Sequence, residues 1–259
     1  MAITKTDFIN YTRCKRYASL EEIHKDKLTS DMTMEEYLKE EERTEFKELV
    51  NSMFEETEDG DIDKLEKIDI QLNAMMPYYK EVELTAGKEV ERIFKGESVY
   101  SADTYRQESF DFNLNGIKYL CFVDIYNESN GEINIIEVKA TTSRKYKILD
   151  YSIEKDKFPL FVKKGEFYYL AEDSGLSKNY GQKVSKLLDR FSDEGKYIFD
   201  IAVQRYFIEG YMKENNINKK VNYYLAVLNN EYEYDGYTVN GKREFRPDMF
   251  GNTIIDFYD

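Results

Sequence analysis

Residues 119–141 read YLCFVDIYNESNGEINIIEVKAT, two runs of strand-forming residues on either side of Asn130-Gly131. An Asn-Gly pair readily adopts the two positive φ angles of a two-residue type I′ turn, so this stretch predicts a β-hairpin. With that turn, Asp124 pairs with Glu137 and Phe122 pairs with Lys139 across the strands. The hairpin thereby predicts which side chains share a face.

Side chains alternate between the two faces of a strand, so the pairing gives one polar and one apolar face. Asp124, Glu137 and Lys139 share the polar face, with the Cβ atoms of the two acidic residues roughly 5 Å apart. Opposed carboxylates repel unless they are neutralised, and a hard divalent cation with oxygen ligands can do this. A surface hairpin in which Lys139 merely balances Glu137 fits the pattern about as well. The other face is expected to be core and carries Cys121, Val123, Ile125, Ile136 and Val138.

Length and composition indicate a globular protein outside the membrane. The chain has 259 residues, of which 41% are hydrophobic, so it can bury a core. The first residues lack the apolar core of a signal peptide, and no apolar run approaches the roughly 18 residues of a membrane span. We therefore expect a soluble, cytoplasmic protein without a membrane partner. Two cysteines and one histidine, His24, exclude disulfide frameworks, two-histidine metal sites and iron–sulfur clusters.

The charges are unevenly distributed along the chain. The net charge of -14 argues against a protein that coats nucleic acid nonspecifically. Residues 31–69 contain 16 acidic and 5 basic residues, and the pattern predicts an acidic helical segment over 31–76. Residues 139–164 contain 8 basic and 3 acidic residues, a basic stretch that begins at the candidate site. Such a run is typical of a solvated loop but also suits contact with phosphates.

Turn, cap and spacing patterns predict one α/β domain over 1–259, with a mixed central sheet that contains the hairpin and is flanked by helices. A helix of about three turns should begin near Thr4. Further helices are predicted from Pro77 to about Phe94, over 181–191 and over 196–214. Strands are predicted over 98–103, 108–114, 119–126, 132–140, 158–162, 166–170, 221–228, 232–239 and 253–257.

Four motifs occur in a fixed order: Thr4-Lys5-Thr6-Asp7-Phe8 with Cys14-Lys15-Arg16, Gly87-Lys88-Glu89-Val90-Glu91, Asp124 with Glu137-Val138-Lys139, and Asp200-Ile201-Ala202-Val203-Gln204. Together they resemble the PD-(D/E)XK nucleases, and more narrowly the RecB-like branch that includes the CRISPR-associated nucleases. The chain is also similar to the nuclease module of an uncharacterised bacterial family, in which a ribonuclease H-like exonuclease module follows. The resemblance implies a restriction-endonuclease-like core, with residues 147–196 as an insertion.

The resemblance also implies roles for residues at matching positions. Lys139 would orient or activate the attacking water, and Gln204 would position that lysine or the nucleic acid. Ile208 stands where many relatives have a tyrosine, so either Tyr206 or Tyr211 takes that role or the role is absent. The ligands of Mg²⁺ or Mn²⁺ would be Glu91, Asp124, Glu137 and the carbonyl of Val138.

Helix geometry favours Glu91 over Glu89 as the added ligand. Two residues apart on a helix point about 200° apart, so only one of the pair can face the hairpin. If Glu91 faces the hairpin, Val90 and Phe94 lie on the side of the helix that packs against the core.

These observations predict a metal-dependent nuclease that hydrolyses phosphodiester bonds of DNA, at ends or in single strands. An alternative is a non-catalytic binding or inhibitor protein on the same fold, which would engage a protein partner through residues 31–69. A restriction or repair subunit with sequence specificity is a third hypothesis. Contacts with nucleic acid are expected from Arg144, Lys145 and Lys147 in the basic stretch and from Arg13, Lys15 and Arg16 in the first helix.

Overall fold

The computed structural model describes residues 2–14, 16, 17, 19, 20, 81–100, 107–232, 238, 239, 242, 243 and 247–251. The chain divides into two compact units, one formed by Met1–Lys5 with Glu81–Asp259 and the other by Thr6–Lys80. The predicted acidic segment 31–76 and the strand predicted over 253–257 lie outside the described residues. In the described ranges, no helix is both long enough and apolar enough to cross a membrane.

Most of the predicted helices and strands are present, and the described residues contain further short strands and one short helix that the sequence did not predict. The helices that bear on the site are α1 (Lys5–Arg13), α2 (81–94), α3 (Arg144–Lys147), α4 (Tyr180–Leu188) and α5 (Gly195–Glu214). The strands of the described ranges are β1 (Ala2–Thr4), β2 (Glu97–Tyr100), β3 (Ser109–Leu114), β4 (Ile117–Phe122), β5 (Ile125–Ser129), β6 (Glu132–Thr142), β7 (Asp150–Ile153), β8 (Asp156–Pro159), β9 (Phe161–Lys164), β10 (Phe167–Leu170), β11 (Val221–Leu228), β12 (Thr238–Val239), β13 (Lys242–Arg243) and β14 (Asp248–Gly251).

A mixed seven-stranded sheet has the order β2-β5-β6-β11-β14-β10-β9. β5 and β6 form the predicted hairpin: Asn130 and Gly131 have φ angles of 54° and 79°, and Ile125 pairs with Ile136. α5 then carries the chain to β11, which pairs with β6 in parallel. Strand β10, from the predicted insertion 147–196, pairs with β14, so part of that segment belongs to this sheet.

The strand predicted over 119–126 is in fact two strands. β4 ends at Phe122 and β5 begins at Ile125, so Asp124 lies in the break between them. β4 belongs to a separate three-stranded sheet of order β1-β4-β3. Phe122 therefore pairs with Ser109 and not with Lys139, and it is 48% exposed.

Strand β1 is the physical reason for this break. Ala2, Ile3 and Thr4 pair in parallel with Lys118, Tyr119 and Leu120 of β4, and this draws the segment away from the hairpin. The sequence predicts a helix start near Thr4, which α1 confirms, but it gives no sign of the short strand that precedes it.

The large sheet is covered on both faces. Ala86 and Val90 of α2 pack on the face formed by Ile136 and Val138. Because side chains alternate along a strand, Glu137 points to the opposite face, where α5 lies. Helix α5 contacts β11 of the large sheet and β3 and β4 of the small sheet, which explains why it is buried on several sides. Its buried residues include Ile198, Ile201, Val203, Phe207, Ile208 and Met212.

A ladder of polar side chains crosses four neighbouring strands on the α2 face. Asn134 of β6 donates to the Oδ1 of Asn127 on β5 at 3.0 Å. Asn127 donates to Ser98 of β2 at 3.0 Å, and Asn222 of β11 donates to Asn134 at 3.1 Å. Each of these residues stands opposite the next in the strand register. Buried amides need such partners, so the ladder favours this register over any other.

Gly87 of α2 provides a test of how closely this helix approaches β2. A Cβ atom at Gly87 would lie 2.4 Å from the Tyr100 ring, whereas a Cβ at Gly181 of α4 meets nothing within 4 Å. We expect Gly87→Ala to lower the free energy of unfolding by about 1–3 kcal/mol, because Tyr100 is buried and the helix must shift. Gly181→Ala should raise it by up to about 1 kcal/mol. Urea unfolding of both variants measures the difference, and equal stabilities would contradict this packing.

Candidate active site

Glu137 is a carboxylate at the centre of the large sheet. It lies on β6, a strand with neighbours on both sides, and is 1% exposed. A charged group so deeply buried is costly unless ion pairs and hydrogen bonds compensate. The side chains around Glu137 therefore define the site.

Three donors from three parts of the chain hold this carboxylate. The Nζ of Lys139 lies 2.7 Å from Oε1, and the Nζ of Lys5 lies 3.0 Å from the same oxygen. The amide of Gln204 donates from Nε2 to Oε2 at 2.8 Å. The Gln204 Oε1 is buried and accepts no hydrogen bond from the described residues, so the contact with Glu137 orients this amide.

Asp200 of α5 supplies a second carboxylate. Its Oδ1 lies 2.9 Å from the Nζ of Lys5, and its Oδ2 lies 2.9 Å from the Nζ of Lys139. Burial alone raises the pKa of Asp200, but the ammonium groups of Lys139 and Lys5 outweigh that effect and hold the pKa well below its ordinary value. We call Lys5, Glu137, Lys139 and Asp200 the ion quartet.

Lys5 is firmly held as a cation within the quartet. Burial lowers the pKa of its ammonium group, yet the nearby carboxylates of Asp200 and Glu137 raise the pKa well above its ordinary value. Its side chain and that of Lys139 are each 15% exposed, so neither is freely solvated. Two ammonium groups and two carboxylates thus neutralise each other.

Asp124 lies beside the quartet and is anchored to the backbone. Its Oδ2 accepts a hydrogen bond from the N–H of Val138 at 2.7 Å. Burial and the neighbouring Glu137 carboxylate raise the pKa of Asp124 to about 8, against the opposing effects of Lys139, Lys5 and this hydrogen bond. The Asp124 carboxyl is therefore mostly protonated at neutral pH, and a further cation nearby would favour its charged form.

The predicted contribution of Glu91 is not seen in these contacts. Glu91 is exposed on α2, and the hydroxyl of Tyr100 donates to its Oε1 at 3.2 Å. Helix α2 packs on the sheet face opposite Glu137, which explains why Glu91 does not contact the quartet. Glu89, the other candidate on this helix, pairs with Arg92 at 2.7 Å.

The predicted nucleic-acid residues have different environments. Lys147 of α3 pairs with Glu231 at 2.7 Å and with Asp248 at 3.2 Å, which ties it to the end of the large sheet. Arg144 is exposed on the same helix. In the other unit, Arg16 is exposed, whereas Lys15 and the side chain of Arg13 lie outside the described residues.

Lys145 is the member of this set that lies beside the quartet. Its ammonium group is 5.1 Å from the ring centre of Tyr197, and that of Lys139 is 5.9 Å from the same ring. Lys196 also lies over this ring, at 5.1 Å, so three cations border one aromatic side chain in the first turn of α5. The acidic side chain of Asp193 pairs with Lys196 at 2.9 Å and with Lys145 at 3.6 Å.

The positions expected for a tyrosine on α5 are occupied differently. Ile208 is fully buried, Tyr206 is 46% exposed, and the Tyr211 ring packs edge-on against Phe110.

Lys5 and Asp200 were not predicted as site residues, although both belong to motifs noted in the sequence. Asp200 lies four residues before Gln204, and residues four apart share a helix face, so α5 directs both toward β6. That spacing is a signal from which Asp200 can be found. Lys5 reaches the site only because β1 pairs with β4, a long-range contact that the sequence does not reveal.

The oxygen donors at the site are of the type that hard divalent cations such as Mg²⁺ or Mn²⁺ prefer. Asp124 and Glu137 offer carboxylate oxygens, and the raised pKa of Asp124 marks a charge that a cation would stabilise. The ammonium groups of Lys5 and Lys139 hold Glu137 in this arrangement. Within the described ranges, no group of three or more His, Cys, Asp or Glu side chains is arranged to hold a metal ion.

We expect Asp124→Asn to change how the stability of the metal-free protein depends on pH. With a pKa of about 8, folded Asp124 keeps a proton that the unfolded chain releases above about pH 4. The unfolded state then binds fewer protons, so this group lowers the free energy of unfolding progressively from about pH 4 to about pH 8. Asparagine has no such proton and retains an oxygen for the Val138 N–H.

The variant should therefore gain stability relative to wild type as the pH rises from 5 to 8, with no further gain above. Asp200 has a lowered pKa, so its effect is lost only at acidic pH, below this window. Urea unfolding in a chelating buffer measures the effect, with Asp111→Asn on the surface of β3 as the control. Parallel pH profiles for wild type and Asp124→Asn would contradict the assignment.

Comparisons with known proteins identify no family for this chain. No protein-family model matches the sequence, and no curated protein matches it. The crystal structure of SSO0001 aligns with 99% of this chain and 73% of its own chain, with 12% identity and a TM-score of 0.33. A likeness this weak carries no statement about activity.

Proposed function

We propose that the chain is a metal-dependent nuclease that hydrolyses phosphodiester bonds of DNA with Mg²⁺ or Mn²⁺. The observation that carries the proposal is the grouping of Asp124, Glu137 and Lys139. Glu137 and Lys139 share one face of β6, and the backbone of the residue between them binds the Asp124 carboxyl. A buried acidic pair beside a lysine is costly for stability alone and suits phosphoryl chemistry.

The connections between the elements support the same proposal. Helix α2 precedes β2, the antiparallel hairpin of β5 and β6 follows, and α5 then leads to the parallel strand β11. A mixed sheet with such a hairpin and flanking helices is the arrangement that a restriction-endonuclease-like core requires.

The oxygens of Asp124 and Glu137, with the carbonyl of Val138, would hold the cation. When bound, the cation would neutralise charge at the scissile phosphate and make the attacking water more acidic. Lys139 would donate from its ammonium group to that water or to the phosphate, and so stabilise charge that develops in the transition state. Asp200 keeps the Lys139 ammonium group in place at 2.9 Å, and Gln204 orients Glu137.

The Tyr197 ring and its lysines suit the approach of the nucleic acid. Lys145 and Lys196 lie beside the same ring as Lys139 and share one acidic partner, Asp193, so the start of α5 adds two lysines and one carboxylate next to the neutral quartet. This cluster would attract phosphates to a protein whose net charge is -14. The predicted binding or inhibitor function depends on residues 31–69, which lie outside the described residues, so no structural observation favours it.

We expect Lys139→Met to abolish cleavage although the chain still folds and still binds metal, with a lower melting temperature because Glu137 and Asp200 lose a partner. The lysine acts in the transition state and is not a metal ligand, so the rate should fall about 100-fold or more. Asp124→Asn should also weaken metal binding, by about tenfold or more, because a charged ligand is lost. Lys118→Met on β4 is the control, since Lys118 is an exposed lysine that pairs only with Asp111 among the described residues.

Labelled single- and double-stranded DNA and RNA, with Mg²⁺, Mn²⁺ or a chelator, provide the assay, and calorimetry gives the metal affinity. Circular dichroism checks that the variants fold. If wild-type protein with Mn²⁺ cuts none of these substrates, and its metal binding does not depend on Asp124, the nuclease proposal fails. Partner binding that depends on the acidic residues of 31–69 would then support the inhibitor function instead.

A further inference from the structure

The quartet contains one more cation than the proposed chemistry needs. Lys139 has a role in that chemistry and comes from the same strand as Glu137. Lys5 comes from a distant segment, yet it contacts the same Glu137 oxygen, at 3.0 Å, that Lys139 contacts at 2.7 Å. The pairing of β1 with β4 holds it there, within the unit formed by Met1–Lys5 and Glu81–Asp259.

Two features make Lys5 a competitor for a metal ion. A divalent cation held by Glu137 would lie within a few ångströms of the Lys5 ammonium group, and like charges at such distances in a partly buried site repel strongly. Lys5 also has a second ion-pair partner, because the Oδ1 of Asp200 lies 2.9 Å from its Nζ, although this oxygen accepts no hydrogen bond from the described residues. It can leave Glu137 and remain paired, so only one of its two ion pairs has to break.

We propose that Lys5 is an internal cation that neutralises Glu137 in the metal-free protein and is displaced toward Asp200 when a divalent cation binds. This inference rests on the proposed metal-dependent function. Asp200 is then a positioning residue, because it retains both Lys5 and Lys139 after Glu137 has exchanged an ammonium group for a metal ion. Lys5 protects the fold when metal is scarce and lowers the affinity of the site for metal.

The test is the affinity of the full chain for Mn²⁺, measured by calorimetry, together with the melting temperature with and without Mn²⁺. Lys5→Met keeps the length of the apolar stem and removes the charge. We expect it to lower the melting temperature of the metal-free protein, because Glu137 and Asp200 lose a partner. We expect it to bind Mn²⁺ about tenfold or more tightly than wild type, and therefore to gain more stability from Mn²⁺.

Two further variants separate this effect from simpler ones. Lys118→Met removes the same charge from the neighbouring strand β4, where the side chain is 50% exposed, and should leave the Mn²⁺ affinity unchanged. Lys5→Arg retains the charge and should bind Mn²⁺ about as wild type does. If Lys5→Met does not fold, Lys5→Gln keeps a hydrogen-bond donor without the charge and should show the same gain in affinity.

The outcomes distinguish this inference from the function on which it rests. If wild type binds Mn²⁺ through Asp124 and the neutral Lys5 variants bind it equally or more weakly, Lys5 is not a competitor and the nuclease proposal stands. An equal gain in Lys118→Met would show a general charge effect and would also overturn the inference. If neither wild type nor the Lys5 variants bind Mn²⁺, the metal-dependent function itself fails.

Discussion

The rest of the molecule depends on one constraint, the burial of the Glu137 carboxylate on β6, a strand that pairs in parallel with β11. A carboxylate that is 1% exposed requires compensation, and here the compensating groups come from three separate segments. Lys139 comes from the same strand, Gln204 from α5 and Lys5 from the first residues of the chain. The same contacts therefore stabilise the site and the tertiary structure, so a substitution that removes one of these contacts affects both.

This constraint also explains the arrangement of the elements around the site. Helix α5 lies over the Glu137 face of the sheet, because Asp200 and Gln204 are one helical turn apart and contact Lys139 and Glu137, respectively. β1 must pair with β4, because that pairing delivers Lys5. The segment that joins β4 to β5 then departs from the hairpin, and Asp124 lies in that segment. The break in the predicted strand thus accompanies the pairing that brings Lys5 to Glu137.

Local patterns predicted much of the fold and half of the quartet. The turn at Asn130-Gly131 and the register of β5 with β6 depend on neighbouring residues, and these predictions were confirmed. The apolar face was confirmed for Ile125, Ile136 and Val138, whereas Cys121 and Val123 lie before the hairpin. β11 was predicted with its observed bounds, and α5 to within a residue. The strand break at Asp124 and the arrival of Lys5 depend on contacts between residues more than 100 positions apart, which no local pattern encodes. Glu91 was predicted as a ligand from its position on helix α2. The same helix orientation correctly predicted that Val90 packs against the core, but the sequence does not tell which face of the sheet α2 covers.

The polar ladder of Asn127, Asn134 and Asn222 has a consequence for folding. β6 and β11 are far apart in sequence and pair in parallel, a combination that forms slowly and permits several alignments of similar hydrophobicity. A shift of one residue would place an amide against an isoleucine, since Ile133 and Ile135 flank Asn134. The amides therefore penalise misaligned pairings of β6 with β11. Because Glu137 lies three residues beyond Asn134 on the same strand, the register that the ladder favours is also the register in which the quartet assembles.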